Sequence, residues 1–226
     1  MKSKCFFISV MLLFTLSSYA NSYVGLDYGL ARLNKFLYEN EDNTPTRPSN
    51  PLFFRLSIKS QIDDDFYIGL SFDKFHSYKY EKGYADRGFV FLVKQKIATS
   101  SLFLNIVYDF CSHLRINCCA NLGTGIATNK AGNRSLDINK KDCLITEGCP
   151  TVHDIGAVVK NFAWNLGGDI TYKINKKLTF NLLGYRYYSL GTVSTKLATN
   201  SKTSKSSIFH SKLTAHVVSS GMTIRF

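Results

Sequence analysis

Six cysteines, five histidines and the serines near them are the side chains through which this 226-residue chain could do covalent chemistry. Cys143 and Cys149 have five residues between them, Gly148 included to ease the turn, a spacing that suits a local disulfide. A zinc site would need tight Cys-x-x-Cys pairs and a second pair of ligands, and His153 nearby reads as a polar loop residue instead. Cys111 and Cys118 flank a short turn and face each other if that turn centres between Leu114 and Arg115. A bridge there and three small thiols, Cys119 pointing inward, fit the sequence equally. For hydrolysis the candidates are His210-Ser211 and His216. A hydroxyl becomes a nucleophile only with a base in hydrogen-bond reach and a carboxylate to orient that base. Adjacent strand residues point to opposite faces, and no Asp or Glu follows Asp169. The expectation is therefore no enzyme, no metal and no cofactor. His113 reads as a solvated turn residue.

The compartment bears on the thiols. Lys2 and Lys4 precede a run from Cys5 to Leu16 in which only Ser9 and Thr15 are polar, and Ser18-Tyr19-Ala20 follows as a small-x-small cleavage site. This predicts a signal peptide at residues 1–20 and one exported domain at 21–226, in an oxidising compartment where disulfides are allowed. The apolar run is too short for a membrane helix, which takes about 20 residues. Removing Lys2 and Lys4 from 28 basic residues leaves 26 against 16 acidic ones, a net charge of +10. Outside the cytoplasm such a chain meets phosphorylated lipid head groups, acidic polysaccharide or host-cell surface molecules rather than nucleic acid.

Whatever the exported domain does must be positioned by strands. Aromatic residues make up 14% of the chain, 13 Tyr and 17 Phe against one Trp, while Pro totals four. Apolar side chains then recur at every second position in eight segments: 23–33, 52–60, 66–75, 100–110, 115–126, 162–173, 177–190 and 211–226. In the fifth, Ile116, Cys118, Ala120, Leu122 and Ile126 share one face, opposite Asn117, Cys119, Asn121 and Gly123. Phe103 and Val107 blur the polar face of the fourth. The seventh loses its parity at Leu182-Leu183-Gly184, which predicts a bulge that turns Tyr185 and Tyr187 outward and Arg186 inward.

The links between segments alternate in length: short at 61–65, 111–114 and 174–176, long at 34–51, 76–99, 127–161 and 191–210. An even number of strands with short turns at one end and long loops at the other is the pattern of an all-β, eight-stranded antiparallel outer-membrane barrel, an up-and-down meander. Residues 88–97 are themselves strand-like, so the third and fourth strands should project as a hairpin above the membrane. The charges favour the membrane form over a soluble barrel. Asp27, Arg55, Lys59, Asp73, Asp109, Arg115, Asp169, Lys173, Arg186 and Arg225 all fall on the polar side, where a transmembrane barrel gathers them in its lumen and turns its apolar face to lipid. Eight strands enclose a space that side chains can fill.

The chain ends Ser219-Ser220-Gly221-Met222-Thr223-Ile224-Arg225-Phe226, in which Ser219, Gly221, Ile224 and Phe226 match the terminal signal read by the bacterial barrel-assembly machinery. Residues 101–110 (SLFLNIVYDF), 121–125 (NLGTG) and 182–188 (LLGYRYY) also resemble motifs of the small outer-membrane barrels and surface antigens. That family includes OmpA-like barrels, opacity-type adhesins and rickettsia-like major surface proteins. The resemblance spans the exported domain. It implies an outer-membrane surface antigen, adhesive in some members and weakly porin-like in others, a monomer by default, with outer-membrane lipid and lipopolysaccharide as its surroundings. The five cysteines left after cleavage depart from the pattern. The third and fourth loops are basic, through Lys130, Arg134, Lys140 and Lys141 and then Lys196, Lys202 and Lys205, and would suit phosphates or acidic glycans.

Overall fold

A strand with one apolar and one polar face still has two edges of unpaired N–H and C=O groups, and in lipid no water is present to satisfy them. The chain resolves this by closing on itself. The structure is a computed structural model that describes residues 21–34, 50–86, 89–111, 114–132, 135–138, 153–155, 157–198 and 208–226. Its elements are β1 (Ser22–Leu33), β2 (Leu52–Asp63), β3 (Phe66–Asp86), β4 (Phe89–Asp109), β5 (Ile116–Ala131), β6 (Ser135–Ile138), β7 (His153–Ile155), β8 (Val158–Lys173), β9 (Leu178–Ala198) and β10 (Ile208–Arg225). Apart from the short β6 and β7, each strand pairs antiparallel with the next along the chain, and β10 returns to β1 from Tyr23↔Arg225 to Leu33↔Ala215. This is a closed eight-stranded barrel.

Its hydrophobic pattern is inverted. Leu26, Leu30, Leu104, Ile126, Phe162 and Leu166 stand on the outer wall, about half exposed or more, while Asp27, Arg55, Asp73, Asn105 and Asn165 are buried inside. Each outer side chain gains roughly 1.5–3 kcal/mol when hydrocarbon replaces water around it, so the wall belongs in a bilayer. The short turns are made locally. Asn175 Oδ1 accepts from the backbone N–H groups of Lys177 and Leu178, both at 2.8 Å, an Asx turn between β8 and β9.

The expected bulge is present. Ile170 pairs with Leu183 and Thr171 with Asn181, so Leu182 is the extra residue; Leu182 and Leu183 both face outward, Tyr185 stands on the outer wall and Arg186 is buried. A second irregularity, where β10 shifts register between Lys212 and Thr214, lies opposite Gly191. Gly191 has φ +77°, and an added Cβ would lie 2.2 Å from Asn161 Cβ, so only glycine turns the strand there without strain.

The hairpin expected of the third and fourth strands is present, with β3–β4 pairing continued to Asp86↔Phe89. Other expectations are corrected. The third long link holds β6, which pairs with β4, and β7, which pairs with β9. Arg115 is not a lumen residue: it is exposed in the turn before β5, where its carbonyl accepts from Lys173 N. Cys111 and Cys118 are free, because the β4–β5 register sets Asp109 opposite Cys119 and places Phe110 N on Cys118 O. Cys111 therefore sits one residue out of register with Cys118, its N–H donating to Asn117 Oδ1. Cys143 and Cys149 lie outside the described residues.

Candidate functional site

Inward side chains pack the lumen in layers, polar toward the short turns and apolar toward the long loops. Arg55 and Asp73 are cross-strand partners, and their side chains meet in a bidentate ion pair, both N···O distances 2.8 Å. Tyr188 from the opposite wall completes a triangle: its hydroxyl accepts from Arg55 Nη2 and donates to Asp73 Oδ2, each at 2.9 Å. A buried ion pair repays its desolvation only when the remaining donors and acceptors are satisfied, and this ring does that. The Tyr188 ring is clasped by Phe53, Phe75 and Phe103 at centroid distances of 5.3–5.8 Å. All four rings are essentially inaccessible. Beyond them Ala31, Ile97, Ala127, Leu190, Leu213 and Val217 continue an apolar filling toward the loop end.

On the other side lies a hydrogen-bonded asparagine and carboxylate layer. Asn181 Nδ2 reaches Asp27 Oδ1 at 3.1 Å and Asp169 Oδ1 at 3.3 Å, and Arg186 pairs with Asp169. Asn105 donates to Ser71 at 3.0 Å. Asp109 Oδ2 accepts from Asn117 at 2.8 Å. Near the short turns the lumen opens into a cavity of about 380 Å³ whose lining includes Lys59, Lys173 and Arg225. Lys59 Nζ stands 4.7 Å from the Tyr67 ring and 5.5 Å from that of Tyr23.

The expected lumen charges thus separate by depth. Asp27, Arg55, Asp73, Asp169 and Arg186 are tied into the filled interior, whereas Lys59, Asp109, Lys173 and Arg225 line the mouth. The lumen that gathers these charges is polar only toward the short turns, and its loop-end half is apolar. Tyr188 was the missed residue. Its signal was present, since a bulge that turns Arg186 inward also turns Tyr188 inward, two residues on. Gly221 of the terminal motif has a packing role besides: a Cβ there would lie 2.2 Å from Asp27 Oδ1.

The outer wall carries a second feature. At the loop end Arg32, Lys74, Lys96, Lys130, Lys160 and Lys212 are exposed. Each alternates with inward neighbours such as Ala31, Phe75, Ile97, Asn129 and Leu213. Lys130 is paired with Ala98 and Val158, which places Lys96 and Lys160 as its diagonal neighbours on the adjacent strands. Asp27, Asp73, Asp109 and Asp169 point inward, away from this basic belt. Of the expected loop cations, Lys130 belongs to the belt and Lys196 lies on β9 opposite Ile208; Arg134, Lys140, Lys141, Lys202 and Lys205 lie outside the described residues. His210 and Ser211 are paired with Ser194 and Val193 on β9. His216 is on the outer wall, its Nδ1 2.7 Å from the Tyr185 hydroxyl. Among the described residues no group of His, Cys, Asp and Glu is arranged to hold a metal ion.

No family model matches the sequence. No curated protein matches it either. Among solved structures the chain is similar to the outer membrane protease OmpT from Escherichia coli, at 9% identity and a TM-score of 0.53, over 91% of this chain and 97% of that one. It also resembles Neisserial surface protein A, at 15% identity and a TM-score of 0.44, covering 91% and 97% of the two chains. A third is Ail, the attachment invasion locus protein of Yersinia pestis, at 12% identity and a TM-score of 0.47, covering 92% and 99%. At such identity the likeness to OmpT is one of fold, the transmembrane barrel, and carries nothing of its chemistry.

Proposed function

We propose that this barrel resides in a bacterial outer membrane and displays its long loops and the β3–β4 hairpin at the cell surface, as an antigen and adhesin. The observation that carries the reading is the filled lumen. Four buried rings around the Arg55–Asp73–Tyr188 triangle occupy the cross-section, so the interior serves as a rigid core and leaves recognition to the loop end. The export signal and the terminal motif of Ser219, Gly221, Ile224 and Phe226 support delivery through the barrel-assembly machinery. The basic belt supports contact with lipopolysaccharide phosphates in the outer leaflet, because lysines at that height face head groups rather than hydrocarbon. Each subunit closes its own sheet, which suits a monomer.

Deleting residues 139–152 or 199–207 tests display, since both segments lie between described strands. Cells expressing either variant should bind host cells less well than wild type, with heat-modifiable gel mobility and surface proteolysis confirming a folded barrel in the outer membrane. Undiminished binding by both folded variants would refute recognition by these loops.

A further inference from the structure

The mouth of the barrel at the short-turn end is built unlike the rest of the lumen. Its cavity of about 380 Å³ is lined by Lys59, Lys173, Lys176 and Arg225 against two carboxylates, Asp64 and Asp109. Asp109 is already engaged by Asn117. The volume lies in the range of small-molecule sites. Its walls hold cations in place: Lys59 Nζ lies over the Tyr67 and Tyr23 rings, and the Arg225 guanidinium lies 5.8 Å from the Tyr23 ring. Tyr23 is fixed in turn by its hydroxyl on Gln61 at 3.3 Å.

The mouth also leads inward. A smaller cavity of about 60 Å³ shares Lys59 and Thr223 with it and is lined further in by Asp27, Asp169, Asn181 and Arg186, so an anion would be held at the mouth and not in the inner space. Arg186 is almost wholly buried, and although its Nη2 is paired with Asp169, its Nε and Nη1 have no hydrogen-bond partner. Buried donors of this kind cost free energy until an acceptor reaches them. The path ends at the Arg55–Asp73–Tyr188 triangle, where Arg55 closes the far side of the smaller cavity.

From this geometry we infer that the short-turn mouth is a blind binding site for a small anion bearing a carboxylate or phosphate group, held by Lys59 and Arg225. That this mouth opens to the periplasm rests on the orientation proposed above; the binding itself does not. Two sources share the chemistry, peptide carboxylates such as those of the cell wall and free phosphate or its esters. Depth and curvature favour a group presented at the end of a chain over an extended polyanion.

The refolded chain in zwitterionic micelles, labelled with ¹⁵N, is titrated separately with inorganic phosphate and with N-acetyl-D-alanyl-D-alanine. Amide shifts of Tyr23, Lys59, Thr223 and Arg225 should saturate with at least one probe, and the probe that saturates at lower concentration names the source. Lys59→Gln and Arg225→Gln should each weaken binding about tenfold, on the order expected for one unscreened charge at contact distance, and the double variant should abolish it. Lys79→Gln, exposed on β3 away from the mouth, should leave it unchanged. Absence of saturation with both probes, or equal saturation in the folded double variant, would overturn the inference. Neither result would touch loop-mediated adhesion, which is read on cells.

Discussion

Replacing Asp73 by Asn tests whether the lumen is a dry core. The change keeps the side-chain shape but removes the charge opposite Arg55, and the new amide N–H₂ group points a donor at a guanidinium that has only donors. Both contacts of 2.8 Å lose their ionic character, while Arg55 stays buried with one amide oxygen and the Tyr188 hydroxyl as its acceptors. Removing one partner of a buried pair costs about 3–5 kcal/mol. That is two to nearly four orders of magnitude in the folded-to-unfolded ratio, at about 1.4 kcal/mol for each factor of ten. Tyr188→Phe, which removes one bond to each ion, should cost about 1.5–3 kcal/mol. The two changes together should fall short of their sum, because they act on one network. Converting Arg55→Met, Asp73→Leu and Tyr188→Phe together removes both charges and the hydroxyl they satisfy, and should return stability to within about 1 kcal/mol of wild type. Equilibrium urea unfolding from lipid vesicles reads all of these through Trp164, the one tryptophan, which stands on the outer wall beside Tyr187. If Asp73→Asn costs less than about 1 kcal/mol, the Arg55 charge is hydrated and the filled-lumen reasoning is wrong.

Three further outcomes follow from the same packing. Planar-bilayer recording of the folded chain should give no discrete current steps, and reproducible steps from wild type would contradict the ring plug. Gly191→Ala should lower stability by about 1–3 kcal/mol, since a Cβ at positive φ meets Asn161, and an unchanged urea midpoint would show that the strand adjusts. Alkylation of the unreduced protein followed by peptide mapping should recover Cys111 and Cys118 both as modified thiols; a peptide joined through them would overturn the register of the β4–β5 turn.

Much of the fold was legible because period-two alternation is a local property, written into each strand without reference to its partner. The bulge at Leu182 was legible for the same reason: two apolar residues in succession break the parity at a defined place. Registers are not local. Whether Cys118 faces Cys111 or Phe110 depends on where a short turn centres, and a shift of one residue moves every side chain to the other face. The same shift left Arg115 outside the lumen. The apolar plug was obscured for a different reason. Phe53 lies inward between Leu52 and Phe54, and Phe103 between Leu102 and Leu104, so apolar residues on both faces remove the contrast where the core is richest. Phe103 was visible as a blemish in the pattern, and that blemish was the core. β6 and β7 carry no alternation long enough to read, and they exist only because β4 and β9 offer them edges.

The position of the closure inside the tube has an evolutionary consequence. Tyr188 and the rings that clasp it belong to the strands, and among the described residues their ring-to-ring contacts are with one another. With recognition proposed for the loop end and the rings borne by the strands, loops could lengthen, shorten or drift while the interior keeps its packing, so that outward identity and internal closure would evolve separately.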